Sequence, residues 1–143
     1  MGAEPFSRYI SGGRTRSVIN LASPDGEGVV AYTFTGTTSA PASTSDGYAN
    51  PGLQKNLHMI IKNNAAGTCK FRVYGYHSFA DEWGLLNIMD PADGGNNLLE
   101  WTVLANSDEY TIVPIEGIER IAVICSTFAG SNDCTVYLGA NTI

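Results

Sequence analysis

Between Glu109 and Ala140 apolar and polar residues take turns with few interruptions. Ile121, Val123 and Cys125, then Cys134, Val136 and Leu138, recur at every second position, which is the period of a strand with one buried face. The pattern predicts strands over 109–114, 118–127 and 133–140, with a further one over 98–104. Asn106-Ser107-Asp108, Glu116-Gly117 and Gly130-Ser131-Asn132 supply the turns between them. Upstream, Val30, Tyr32 and Phe34 share one face of a predicted strand over 28–35, entered through the turn residues Ser23-Pro24-Asp25-Gly26. A shorter strand is predicted over 17–21. Leu57, Met59 and Ile61 alternate, Asn63, Asn64 and Gly67 read as a turn, and Cys69, Phe71 and Val73 alternate again. That succession predicts a β-hairpin. Its second strand sends Lys70, Arg72, Tyr74 and Tyr76 to the outer face.

No stretch carries a helical period and no internal repeat is visible. Strands punctuated every 8–12 residues predict an all-β fold, an antiparallel β-sandwich of about eight strands with jelly-roll or Greek-key connections. Three segments stand outside the alternation. Residues 1–16 are polar and aperiodic and read as an N-terminal arm, leaving 17–143 as a single domain. Residues 37–52 form a long loop of Thr, Ser, Ala, Pro and Gly, either a surface excursion or a segment laid across a partner. Residues 78–97 form a long connection that embeds Trp83, Leu85, Leu86, Ile88 and Met89 and has room for a short helical turn or a brief strand. The two long irregular segments disfavour an up-and-down barrel.

Composition sharpens this reading. Only 15% of the 143 residues are charged while 43% are hydrophobic, so the chain has core material that a disordered one lacks. The net charge of −6 with eight Lys and Arg argues against nucleic acid as a partner, because phosphate affinity is carried by cations. Those cations are unevenly placed. Arg8, Arg14 and Arg16 face only Glu4 within the first twenty residues, so a basic arm precedes an acidic body. Such an arm is either a solvated terminus or a clasp on a neighbouring subunit. No apolar run is long enough for a membrane span and no signal-peptide pattern is present, so synthesis in the cytoplasm without secretion is expected. Phe6 stands where a myristoylation site needs Ser or Thr.

Candidate chemistry is sparse. Two histidines, His58 and His77, have no nucleophile turn beside them, and there is no G-x-S-x-G. Asp81-Glu82 and Asp108-Glu109 are sequence neighbours, and neighbours on a strand point to opposite faces. The segment Asp90 to Asn97 offers hard oxygens for calcium but lacks the EF-hand spacing and is also what a sharp turn needs. Cys69, Cys125 and Cys134 form no CxxC; they are read as small buried hydrophobes, with a Cys125–Cys134 bridge open if their strands adjoin. No catalytic residue, cofactor-binding residue or metal ligand is therefore expected, and the chain reads as a non-enzyme.

The closing run Glu109-Tyr-Thr-Ile-Val-Pro-Ile-Glu-Gly-Ile-Glu-Arg-Ile-Ala-Val-Ile-Cys, continued by Ala129-Gly-Ser-Asn-Asp-Cys-Thr-Val-Tyr-Leu-Gly, resembles the last strands of small β-sandwich structural proteins of tailed-bacteriophage virions, of the head decoration or cement type. The resemblance spans about residues 54–143 and transfers no functional residue. It implies a capsid-surface protein that bridges capsid subunits, with the major capsid protein and further copies of itself as partners, a homo-oligomer for which a trimer would suit a quasi-threefold position. It implies neither a nucleic-acid nor a membrane partner. Two alternatives stay open: a tail, collar or fibre-associated virion protein, and a carbohydrate-binding β-sandwich using Tyr74, Tyr76, Trp83 and Trp101 as sugar platforms. Trp101 alternates with Leu99 and Val103, so burial is expected of it. A small hydrolase finds no triad.

Overall fold

The computed structural model describes residues 16–17, 31–42, 55–90, 92, 96–130 and 132–141. Every regular element among them is a strand: β1 Arg16–Ser17, β2 Ala31–Phe34, β3 Asn56–Asn63, β4 Cys69–His77, β5 Glu82–Leu85, β6 Ile88–Met89, β7 Asn97–Leu98, β8 Trp101–Val103, β9 Ser107–Pro114, β10 Ile121–Thr127 and β11 Cys134–Asn141. All pairings are antiparallel. The antiparallel all-β architecture is the one the alternation predicts. The strands outnumber the expected eight because the 78–97 connection contains β5, β6 and the start of β7, and because the expected 98–104 strand breaks at Leu99 and Glu100. Of the arm only Arg16 lies inside the described residues, and of the 37–52 loop only 37–42.

Two sheets enclose the core. In the first, β11 lies between β3 and a split neighbour, β2 along its first half and β1 along its second, and β9 closes the far edge beyond β3. In the second, β4 lies between β10 and another split neighbour, β8 then β5. Strands β6 and β7 form a small separate ribbon. Alternation delivers Leu57, Met59, Ile61, Val113, Val136 and Leu138 from one sheet, and Phe71, Val73, Trp101, Val103, Ile121 and Val123 from the other, into one buried cluster. Removing that apolar surface from water is the main stabilising term for such a fold. Phe34 meets Phe71 edge-on across the core, with ring centroids 5.6 Å apart.

The expected hairpin of 57–62 with 69–74 does not form. Strand β3 pairs with β11 and β9, whereas β4 pairs with β10, β5 and β8, so the Asn-rich turn carries the chain from one sheet to the other. Asn63, read from sequence as a turn residue, is instead the last residue of β3 and is buried. Its side-chain nitrogen donates to the carbonyls of Gly67, Val103 and Leu104, each at 3.1 Å, and its oxygen accepts the Ala65 N–H at 2.8 Å. These bonds hold the crossover in a way that a simple turn could not.

Two details complete the second sheet. Thr38, just past β2, donates its N–H to the Cys125 carbonyl and accepts the Cys125 N–H on its hydroxyl, both at 3.0 Å. This segment blunts the outer edge of β10. Near the same place β10 is bulged between Cys125 and Thr127, which re-aims Ser126 toward the Lys70 carbonyl and the Glu100 carboxylate.

Candidate functional site

The outer face of the second sheet carries most of the residues that sequence pointed to, and the structure shows them committed to one another. Arg72 Nε lies 3.0 Å from Glu100 Oε2, which also accepts a 2.6 Å hydrogen bond from Ser126. The Ser126 hydrogen bond, aided by the Arg72 charge, holds the Glu100 carboxyl below the usual carboxylate range against the opposing effect of burial. Tyr74 and then Glu100 raise the Arg72 guanidinium further. Tyr76, expected on the solvent side, is buried, because Trp83 opposite it on β5 packs against its ring at 5.4 Å and its hydroxyl donates to Asp81. That bond to Asp81 raises the Tyr76 phenol. Trp101 is 1% exposed, as its alternation implied, and its indole N–H donates to Glu109 at 3.2 Å. This set therefore offers no row of open rings.

Beside it, a shallow depression of about 320 Å³ is lined by Asp90, Leu98, Glu100, Trp101, Leu104 and Glu109, among others. Its acids are engaged: Asp90 accepts the Ala92 N–H at 2.9 Å, and Glu100 and Glu109 are bonded as above. Among the described residues no three His, Cys, Asp or Glu side chains converge as metal ligands. Residues 91 and 93–95 of the candidate calcium loop lie outside the described residues.

The outer face of the five-stranded sheet is different. Register sets Tyr137 of β11, Ile60 of β3 and Tyr110 of β9 side by side in one cross-strand row, and all three are exposed, at 41%, 42% and 47%. With strands ~4.8 Å apart, the two tyrosines stand about 10 Å from each other with the isoleucine between them. His58 stacks on Tyr110, centroids 5.8 Å apart and planes 25° inclined, with Nδ1 2.6 Å from the phenol oxygen. The Lys62 ammonium lies 5.7 Å from the Tyr137 ring centroid, a cation–π contact. The next row is polar: Thr33, Thr135, Lys62 and Asp108 are register partners, and the two threonine hydroxyls are 3.4 Å apart.

The face thus has an apolar centre of three large exposed side chains with polar groups along one border. His58 has a phenol as its neighbour on this face. Sequence reasoning passed over Tyr110, Tyr137 and Ile60. Their signal was present as large apolar residues at the outward positions of three strands, but the strand order β11-β3-β9 was needed to bring them together.

Comparisons with known proteins bear on the fold. No protein-family profile and no curated protein sequence matches the chain. The SPBc2 prophage-derived protein YomS is similar in structure, with a TM-score of 0.52 and 16% identity over 77% of this chain and 89% of that one. The two share a fold. Weaker likenesses include PirA, TM-score 0.43 and 15% identity over 78% and 95% of the two chains. A variant of the family 29 carbohydrate-binding module CBM29-2 complexed with cellulohexaose gives a TM-score of 0.43 and 13% identity over 92% and 94%.

Proposed function

We propose that this protein is a non-enzymatic structural component of a bacteriophage particle, a decoration or cement protein that grips the assembled head through the outer face of its five-stranded sheet. The observation that carries the reading is the exposed Tyr137–Ile60–Tyr110 row. Tyrosines are enriched at protein interfaces because a large apolar ring comes with a polar tip and little rotamer freedom to lose. The fold shared with a prophage-derived protein supports the phage setting. In this reading the major capsid protein is the partner, the capsid surface is the location, self-association multiplies weak contacts, and the basic arm and the 37–52 loop are held by subunit contacts.

Saturable binding to empty phage heads, measured at low and high salt, tests it. The double variant Tyr110→Ala, Tyr137→Ala should fold normally and lose at least about 100-fold in affinity, as expected when two central aromatic anchors are truncated. Binding that is unchanged by the double variant, or no binding at all, rejects the reading.

A second reading is favoured by the geometry of the same rings. The His58–Tyr110 stack and Tyr137 form a preset platform bordered by hydroxyl, ammonium and carboxylate groups, which suits the apolar face and equatorial hydroxyls of a sugar chain. Glycan-array binding abolished by the same double variant, without head binding, would select this alternative.

A further inference from the structure

Asn63 sits between two thiols that belong to different sheets. Cys69 opens β4 in the second sheet and Cys134 opens β11 in the first. Both are fully buried, and their sulfur atoms are 3.2 Å apart. The Asn63 side-chain oxygen is 2.9 Å from the Cys134 sulfur and 3.7 Å from that of Cys69. The sequence had left open a Cys125–Cys134 bridge on the condition that their strands adjoin, and they do not: β10 pairs with β4, and β11 with β1, β2 and β3. The Cys125 thiol is turned along its own strand, donating to the Thr127 carbonyl at 3.2 Å.

We propose that Cys69 and Cys134 are a latent cross-sheet disulfide, reduced in a thiol-rich compartment and closed by a low-molecular-weight disulfide such as oxidised glutathione. The sulfurs need to approach by only about 1 Å to reach bonding distance. One thiolate attacks the oxidant, forming a mixed disulfide and releasing one glutathione thiol. The second thiolate then attacks the protein sulfur and releases the other, so two protein thiols are oxidised, one small disulfide is reduced to two thiols, and the protons pass to the leaving thiolates. Because both sulfurs are buried, the exchange takes place during folding or through opening of this end of the sandwich. The cysteines are 65 positions apart in the chain, so closure constrains a long stretch of the unfolded state. The bridge does not depend on the role proposed above.

Refolding the reduced full chain in a buffer of reduced and oxidised glutathione, followed by non-reducing peptide mapping and thiol counting in denaturant, tests the pairing. The expected product is a folded protein with no link between chains, one free thiol per chain, a single linked peptide joining Cys69 to Cys134, and a Tm raised by on the order of 10 °C that returns on reduction. Cys125→Ser should behave alike with no free thiol left. A folded product that keeps all three thiols, a bridge that includes Cys125, or links formed only between chains would overturn the proposal.

Discussion

Replacing Asn63 by alanine removes the fastening between the two sheets at one end of the sandwich. The side chain makes three donor contacts to the carbonyls of Gly67, Val103 and Leu104 and accepts from Ala65 N–H. Ala65 is fully buried, so its N–H loses its partner where water does not reach it, at about 1–3 kcal/mol. The amide has two hydrogens for three carbonyls, so about two net hydrogen bonds are lost there, at roughly 1 kcal/mol each. Some relief is expected at Leu104, whose bond is only partly buried. The sum is about 3–5 kcal/mol, a large share of the ~5–15 kcal/mol that a domain commonly has. Urea titrations of wild type and Asn63→Ala, followed by tyrosine and tryptophan fluorescence, would show a midpoint shift with little change in slope. Amide exchange at Ala65 should accelerate alongside. A loss below about 1.5 kcal/mol with unchanged Ala65 protection would refute the reasoning.

Three further outcomes are expected. Gly130→Ala should cost about 1–3 kcal/mol by thermal unfolding, since φ there is +93° and an added Cβ would lie 2.8 Å from that of Ala66. The native thiols should resist alkylation at pH 8 and react at once in denaturant, because burial pushes Cys125 up to about 11 and raises Cys134 as well; thiolate is the reactive form, so the native rate should climb as pH approaches the raised values. Glu100 has a depressed folded pKa, so its contribution is present above the ordinary carboxylate range and lost as pH falls through the lowered value. Its side chain is 30% exposed, so comparing Glu100→Gln with wild type across pH 3–7 should show a pH-dependent difference under about 1 kcal/mol.

What was legible in the sequence was whatever depends on neighbours along the chain. Period-two alternation located the long strands and sorted Leu57, Met59, Ile61, Phe71, Val73 and Trp101 to the inside, because each residue's face is fixed by its own strand. Pairing is a property of distant residues and was not fixed in that way. A turn-rich stretch between two strands satisfies a hairpin and a sheet-to-sheet crossover equally well, so 63–68 was read as the former. Asn63 resembled any turn asparagine because its partners Val103 and Leu104 are some forty residues away. The tyrosine face was hidden for the same reason. Tyr110 and Tyr137 are single outward aromatics on their own strands, and they become a surface only when β3 comes between β9 and β11.

The place of β11 also orders the birth of the fold. Strands β1, β2 and β3 all precede it in the chain, and among the described residues two of them, β1 and β2, pair with β11 and with no other strand. While the ribosome is still making residues before Cys134, β3 can engage β9 and β4 can engage β10, but β1 and β2 have no edge to join. The first sheet is completed only once β11 is made and draws β1 and β2 to it, across more than a hundred residues in the case of Thr33 and Thr135. Chains of this connectivity fold slowly, in milliseconds to seconds, because loop closure precedes its reward. A nascent chain would therefore leave the first sheet incomplete until β11 emerges, which makes that interval one in which a chaperone, or another copy, has access to the core.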